Sequence, residues 1–253
     1  MTLENVKTAG RTLDVLEAFA RSGRPLSLTE VAQLIESPMS SAHALLRTLR
    51  ARGYVYSFED SKLLYPTKRI LAIAQLIAKS DPLVELVLPE MRWLLKATNE
   101  TIIFGKRQAE RVTYLEVLES HQAIRYSAKP GDTKPLHSSA IGKAMLSFLS
   151  DKEITALMKK TGIKQVTGTT IVSPSKLISN IRQSSQKGFF VTRGENVADV
   201  LGISVGLRIA GEPLGIAIAG PIERLSARED ECGALLQSCV RRFKALESTT
   251  AFR

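Results

Sequence analysis

Two cysteines in 253 residues leave no material for a disulfide framework, and with three histidines no Cys/His cluster offers four metal ligands. A stapled secreted scaffold and a structural zinc domain are thereby excluded. Long apolar runs are missing too. The longest, residues 70–78, is interrupted by Gln75 and flanked by Arg69 and Lys79, far short of the roughly 20 residues a membrane span needs. Residues 1–11 hold no continuous apolar stretch that could act as a signal core, so the expected location is cytoplasmic. Disorder is excluded by an ordinary balance of 24% charged and 44% apolar residues. A chain of this length makes one or two domains with real cores. No internal repeat or low-complexity tract interrupts it.

What is present is positive charge. The formal net charge is +10, the sign expected of a partner to a polyanion. It is spread along the chain, with 11 basic against 7 acidic side chains in residues 1–80 and 24 against 18 in residues 81–253. Charge alone therefore allows nucleic acid without specifying it, and position has to decide.

The first 66 residues punctuate cleanly. Leu13, Leu16, Phe19 and Ala20 recur at helical spacing, and Gly23 with Pro25 ends that helix. Ser27 and Glu30 have the spacing of a capping box and open a short second helix. Ser37 followed by Pro38 predicts an N-cap with proline at the first helical position, beginning a third helix that Gly53 stops. Along it Ala42, Leu45, Leu46 and Leu49 form one buried stripe. The opposite face then holds Ser40, His43, Ala44, Arg47 and Arg50. A short helix, a tight turn and a longer helix with small polar and basic residues outward is the helix-turn-helix plan. Segments 54–58 and 63–65 flank a polar tip ending at Lys62 and predict a hairpin, the wing. The three helices taken alone also fit an ordinary small bundle.

Residues 67–79 read as a linker helix with a broad apolar face, packed either within one chain or against a second copy. Asp81 and Pro82 restart a helix to about Thr98. Strands follow at 102–108, 112–118 and 125–129, then a helix from Ser138 through Leu149, a capping box at Ser150 and Glu153, and a helix from Ser173–Pro174 to Gly188. Strands at 189–193, 200–209 and 214–219 precede a last helix from Ser226. Strands grouped with helices on one side predict an α+β fold. Cys232 and Cys239, two helical turns or roughly 10 Å apart, are too distant for a disulfide and read as core.

Catalytic motifs fail on context. Gly202-Ile-Ser-Val-Gly206 spells a nucleophile elbow, but His43, His121 and His137 all precede Ser204, and the pattern after it continues a strand. Gly142-Lys143 lacks the earlier glycine of a phosphate loop and is followed by Ala144. No catalytic residue, metal or cofactor is expected. The helix beginning at Ser138 points amides at whatever precedes it, which is either an anion site or a plain structural cap.

Arg11-Thr-Leu-Asp-Val-Leu-Glu-Ala-Phe19, the helix from Ser40 to Leu49, Leu136-His-Ser-Ser-Ala-Ile-Gly-Lys-Ala144 and Gly215-Ile-Ala-Ile-Ala-Gly-Pro221 together resemble the IclR family of bacterial transcription regulators. The resemblance covers nearly the whole chain, and the stretch from Leu136 to Ala144 is its most specific part. It implies a winged helix-turn-helix (1–66), a linker helix (67–81) that mediates dimerisation, and a GAF-like effector-binding domain (82–253) for a small, usually carboxylate-bearing metabolite. Ala44 stands where the family commonly has arginine. On this reading Ser40, Ser41 and His43 approach base edges, while Arg11, Arg47, Arg50 and Lys62 contact phosphates of double-stranded DNA at a palindromic operator. Tyr126, Ser139, Ala140, Ile141, Glu195, Gly202 and Ser204 make up the expected effector site. A homodimer or homotetramer is implied. The competing expectations are a DNA-binding protein without ligand and a small-molecule enzyme with an accessory helical domain.

Overall fold

Local signals in the first 66 residues become helices almost where the sequence puts them. The computed structural model describes residues 6–78 and 81–249; residues 1–5, at the start of the segment weighed as a signal, and 79–80, where the expected linker helix ends, lie outside the described residues. Helix α1 (Lys7–Ser22) ends on Gly23, whose φ of 62° no side chain obstructs and whose N–H donates to the Phe19 carbonyl. Helix α2 (Leu28–Leu34) opens on a complete capping box: Ser27 Oγ accepts from the Glu30 amide at 3.3 Å, and Glu30 Oε2 accepts from the Ser27 amide at 2.8 Å.

The Ser27 amide and then the Arg24 guanidinium hold the Glu30 carboxyl down from its ordinary 4.5 to about 2. A carboxylate depressed on folding contributes stability above its unfolded pKa and loses it as pH falls through its folded pKa. Glu30→Gln is therefore expected to melt at a lower temperature than wild type at neutral pH. By circular dichroism, that difference should close as pH falls through 4.5 toward about 2. A difference independent of pH would assign the effect to packing.

Helix α3 (Met39–Ala51) corrects one expectation. Its N-cap is Pro38, without a side-chain cap, rather than Ser37. Glu36 turns at φ 47° and the Ser37 amide donates to Ala32, so Ser37 belongs to the turn and its buried Oγ has no partner among the described residues. Strands β1 (Val55–Ser57) and β2 (Leu64–Pro66) form the antiparallel hairpin, and Leu26 bridges to Leu64 beside it. Val15, Phe19, Val31, Leu46, Leu49 and Val55 close a small core. In helix α4 (Arg69–Ala78) no residue is buried. Its start is fixed to the hairpin, because the Thr67 amide donates to the Tyr54 carbonyl and the Arg69 guanidinium lies 5.2 Å above the Tyr54 ring.

The chain divides into two compact units at Asp81 and Pro82. The second opens with α5 (Pro82–Thr98) and holds β3 (Thr101–Gln108), β4 (Arg111–Leu118), β5 (Thr133–Pro135), α6 (Ala140–Leu146), α7 (Asp151–Thr161), α8 (Pro174–Lys187), β6 (Phe190–Arg193), β7 (Val200–Ile209), β8 (Glu212–Pro221), α9 (Ile222–Leu225) and α10 (Glu229–Thr249). Six strands pair antiparallel in the order β5-β4-β3-β8-β7-β6.

Helices cover both faces of this sheet, against the expectation of one. Ile102, Phe104, Leu201, Ile203, Ile216 and Ile218 pack with Met91 of α5 and Leu236 of α10. Ile103, Ala217 and Ala219 pack with α6, α7 and α8 on the other side. The central strands are thus buried on both faces, and their alternation is of size rather than polarity. Small residues let α6 approach closely: a Cβ on Gly215 would sit 2.7 Å from Ile141.

Two further expectations are corrected. Residues 125–129 form no strand, because side chains take up their polar groups. Thr101 Oγ1 donates to the Tyr126 carbonyl, and the Glu119 carboxylate accepts from the Ala128 amide, the Ser127 hydroxyl and Arg125. The last helix is preceded by α9 and a 3-10 turn, Ser226–Arg228, and begins at Glu229. Cys232 and Cys239 are buried free thiols, which burial pushes up to about 11 and about 12.

Candidate DNA-binding surface and effector cavity

Packing decides which side of α3 faces solvent. Ala42, Leu46 and Leu49 are buried and Leu45 half-buried, so Ser40, His43, Ala44, Arg47 and Arg50 are exposed and Ser41 is half-buried. A hollow of about 500 Å³ lies between α3 and the hairpin, and it brings together His43, Arg47, Arg50 and Lys62. Lys62 sits at φ 53°, in the hairpin tip. Arg11 and Ser41 line a second hollow on the α1 side, with Ala44 and Thr48. Ser40 is exposed but lines neither. Among the described residues no acidic side chain forms a salt bridge with Arg47 or Arg50, so both charges are available to an outside anion.

In the second unit, the first turn of α6, the loop after β6 and the faces of β3, β7 and β8 enclose a cavity of about 40 Å³. Tyr126, Ser139, Ala140, Ile141 and Gly202 of the expected effector site line it. Ile103, Tyr114, Thr192, Asn196 and Val197, which were not singled out, line it as well. No lining residue carries a formal charge. Helix α6 begins one residue later than Ser138 suggests. Ser139 is the N-cap, its Oγ accepting from the Gly142 amide at 3.2 Å and donating to the Pro135 carbonyl at 2.8 Å. Ser138 instead accepts from Asn196 Nδ2 at 3.0 Å, tying the loop after β6 to the start of α6. Gly202 keeps the floor open, since a Cβ there would meet Thr192 Oγ1 at 3.0 Å and Ala140 at 3.3 Å. Burial, with Tyr126 beside it, pushes the Tyr114 hydroxyl far above its ordinary range, so it is a neutral hydrogen-bonding group.

Glu195 and Ser204 do not line the cavity. Glu195 forms a buried ion pair with Lys143 of α6 at 2.7 Å. Lys143 Nζ, fully buried, also donates to Asn180 Oδ1 at 2.9 Å and the Val191 carbonyl at 3.3 Å. Burial pushes the Lys143 ammonium down and the Glu195 carboxyl up, and each charge opposes the shift of the other. Glu195 Oε2 has no hydrogen-bond partner among the described residues. Because Asn196 and Val197 follow Glu195 directly, this pair anchors one cavity wall. Ser204 lies within β7, its Oγ buried and without a partner among the described residues. The Gly202–Gly206 stretch thus runs through a strand, not through the strand-turn-helix a nucleophile elbow needs. His137 is buried, its Nε2 2.9 Å from the Lys164 carbonyl, and burial holds its pKa below the ordinary range.

This order of parts agrees with one known group of proteins. A profile of the IclR helix-turn-helix domain matches residues 8–57, and one described as bacterial transcriptional regulator IclR C-terminal matches residues 75–245. The chain belongs to the IclR family. The HTH-type transcriptional regulator BhcR of Paracoccus denitrificans is 29% identical over 223 residues, 87% of this chain and 80% of that protein. The crystal structure of the Thermotoga maritima IclR superposes with a TM-score of 0.78 at 20% identity, covering 94% of this chain and 97% of that one. An IclR homolog from Microbacterium hydrocarbonoxydans, complexed with 4-hydroxybenzoate, gives a TM-score of 0.71 at 20% identity and covers 93% and 99%. At that identity the two structures speak for the fold alone.

This member of the IclR family is a DNA-binding transcription regulator with an N-terminal helix-turn-helix domain, and its relatives are regulators rather than enzymes. Among the described residues no helix is long and apolar enough to cross a membrane, and no group of three or more His, Cys, Asp or Glu is placed to hold a metal ion.

Proposed function

We propose that this IclR-family regulator takes up a small organic acid in the second unit's cavity, and that the acid changes how tightly two copies grip a palindromic operator. The observation that carries the reading is the cavity itself: apolar walls from Ile103, Ile141, Val200 and Ala217, with neutral donors from Thr192, Asn196 and the two tyrosines. Such a lining desolvates a ligand's carbon frame while hydrogen bonds orient its polar end. A volume of about 40 Å³, against roughly 10–15 Å³ for one water, favours a compact acid. The 4-hydroxybenzoate bound by the Microbacterium hydrocarbonoxydans homolog supports a carboxylate as the ligand class.

On the DNA side, Ser40, Ser41 and His43 meet base edges, and Arg11, Arg47, Arg50 and Lys62 fix register on phosphates. Residues 67–81 link this reading head to the effector domain and pair with a second copy, supported by the exposure of Leu71 and Ile77 on α4. The acid acts because it binds one inter-subunit arrangement better than another.

Calorimetric titration with a panel of carboxylates tests the reading. At least one acid is expected to bind wild type and to lose its binding heat in Ile141→Arg, which puts a charged side chain into the cavity. Binding unchanged by Ile141→Arg would remove the cavity from the reading. A panel with no binding to wild type would favour a DNA-binding protein without ligand.

A further inference from the structure

The hairpin carries an apolar feature that the cationic hollow does not explain. Tyr56, in the middle of β1, is 44% exposed and Phe58, just past its end, is 40% exposed, where a monomer gains nothing from leaving two rings in water. The rings are held rather than loose. Their centroids lie 5.2 Å apart at 54°, Tyr56 meets Tyr65 edge-on at 6.4 Å, and Tyr65 meets the buried Phe19 edge-on at 6.2 Å. This aromatic ladder runs from the core of the first unit to its surface and spends side-chain entropy in advance of any contact. Cations surround its outer end. Phe58 lines the hollow that also holds His43, Arg47, Arg50, Lys62 and one acid, Glu59. Tyr56 lines the adjoining hollow with the same two arginines.

We infer that Tyr56 and Phe58 pack against the sugars and groove-exposed base edges of duplex DNA and supply binding that does not depend on charge. The inference rests on the DNA-contact surface proposed above and adds to it a second kind of contact. Arginine and lysine on phosphates release counterions, so their share of the affinity falls with salt. Rings against deoxyribose or an exposed base edge displace water and gain dispersion energy, and their share persists at high salt. A basic groove flanked by fixed aromatic faces is the pairing of chemistries that a nucleic-acid strand satisfies at every step, because each phosphate is followed by a sugar and a base edge.

The test uses the full chain and a fluorescent duplex enriched by the wild-type protein from a random-sequence pool, titrated over a range of salt concentrations. Tyr56→Ala and Phe58→Ala are each expected to weaken binding about tenfold while leaving the slope of log K against log salt at its wild-type value. Arg47→Ala should instead lower the slope. Affinity within twofold of wild type in both aromatic variants, or a slope that falls with the affinity, overturns the inference. Phe58→Trp combined with Trp93→Phe supplies a direct readout that requires no loss of packing, because it leaves one tryptophan, in the hairpin. Its emission is expected to be quenched when duplex is added, and unchanged emission on a bound complex overturns the inference. If the wild type enriches no duplex, the surface reading falls with it; if the wild type binds and the aromatic variants match it, this inference alone falls.

Discussion

Replacing Lys143 by methionine is expected to destabilise the second unit by about 3–5 kcal/mol, because it leaves the Glu195 carboxylate buried without its cation. Methionine keeps most of the side-chain volume, so the loss reports charge rather than a void. The only tryptophan, Trp93 on α5, belongs to this unit, and its emission during denaturant unfolding follows the transition. The sign of the pH dependence follows from Glu195. Burial already raises its folded pKa and Lys143 opposes the rise, so without Lys143 the rise is larger, even with Arg193 nearby. A group whose pKa rises on folding favours the folded state below its unfolded pKa and costs stability as pH rises through its folded pKa. The deficit of Lys143→Met against wild type should therefore be smallest in acid and grow toward neutral pH. Combining Lys143→Met with Glu195→Leu removes both charges and is expected to recover most of the loss, since replacing a buried pair by apolar groups is often neutral or better. A single variant within about 1 kcal/mol of wild type would mean that Glu195 finds water or a proton at little cost, and the pair would then not anchor the wall that carries Asn196 and Val197.

The second large effect is expected on DNA. Arg47→Ala with Arg50→Ala should weaken duplex binding roughly tenfold for each charged contact removed. It should also flatten the salt dependence by about 0.9 in slope for each phosphate released. The two effects belong together, since both arginines are exposed on α3 and line the same hollow. Folding should be unaffected because neither side chain is buried in the small core. Fluorescence anisotropy at several salt concentrations checks it. A slope equal to that of wild type would take both residues off the phosphate backbone, whatever happened to affinity.

These predictions draw on different depths of the sequence. Ser27 with Glu30, Ser150 with Glu153 and Gly23 are visible in the chain because each acts on neighbours within four residues. The outward face of α3 is visible for the same reason: helical period alone separates Arg47 and Arg50 from Leu46 and Leu49. Where a distant side chain intervened, the local signal misled. Residues 125–129 alternate like a strand, yet Thr101 and Glu119 take the bonds that a neighbouring strand would have taken. Ser37 looks like a cap, yet its amide is committed to Ala32 and the helix starts beyond it. Tyr56 and Phe58 read as ordinary residues of a strand over 54–58, because nothing in so short a segment tells which of its rings the core has room for.

The sequence by itself determined the helix-turn-helix and its hairpin, the direction in which the basic residues of α3 point, and the α+β character of the second unit. All of these follow from contacts between residues close in the chain. Tertiary structure alone decided which residues share the cavity and which are withheld from it. Lys143 and Glu195 are 52 positions apart, and only the packing of α6 against the sheet makes their pairing cheaper than leaving either charge in the interior alone. That pairing turns Glu195 away from the role expected of it and makes its neighbours Asn196 and Val197 a wall.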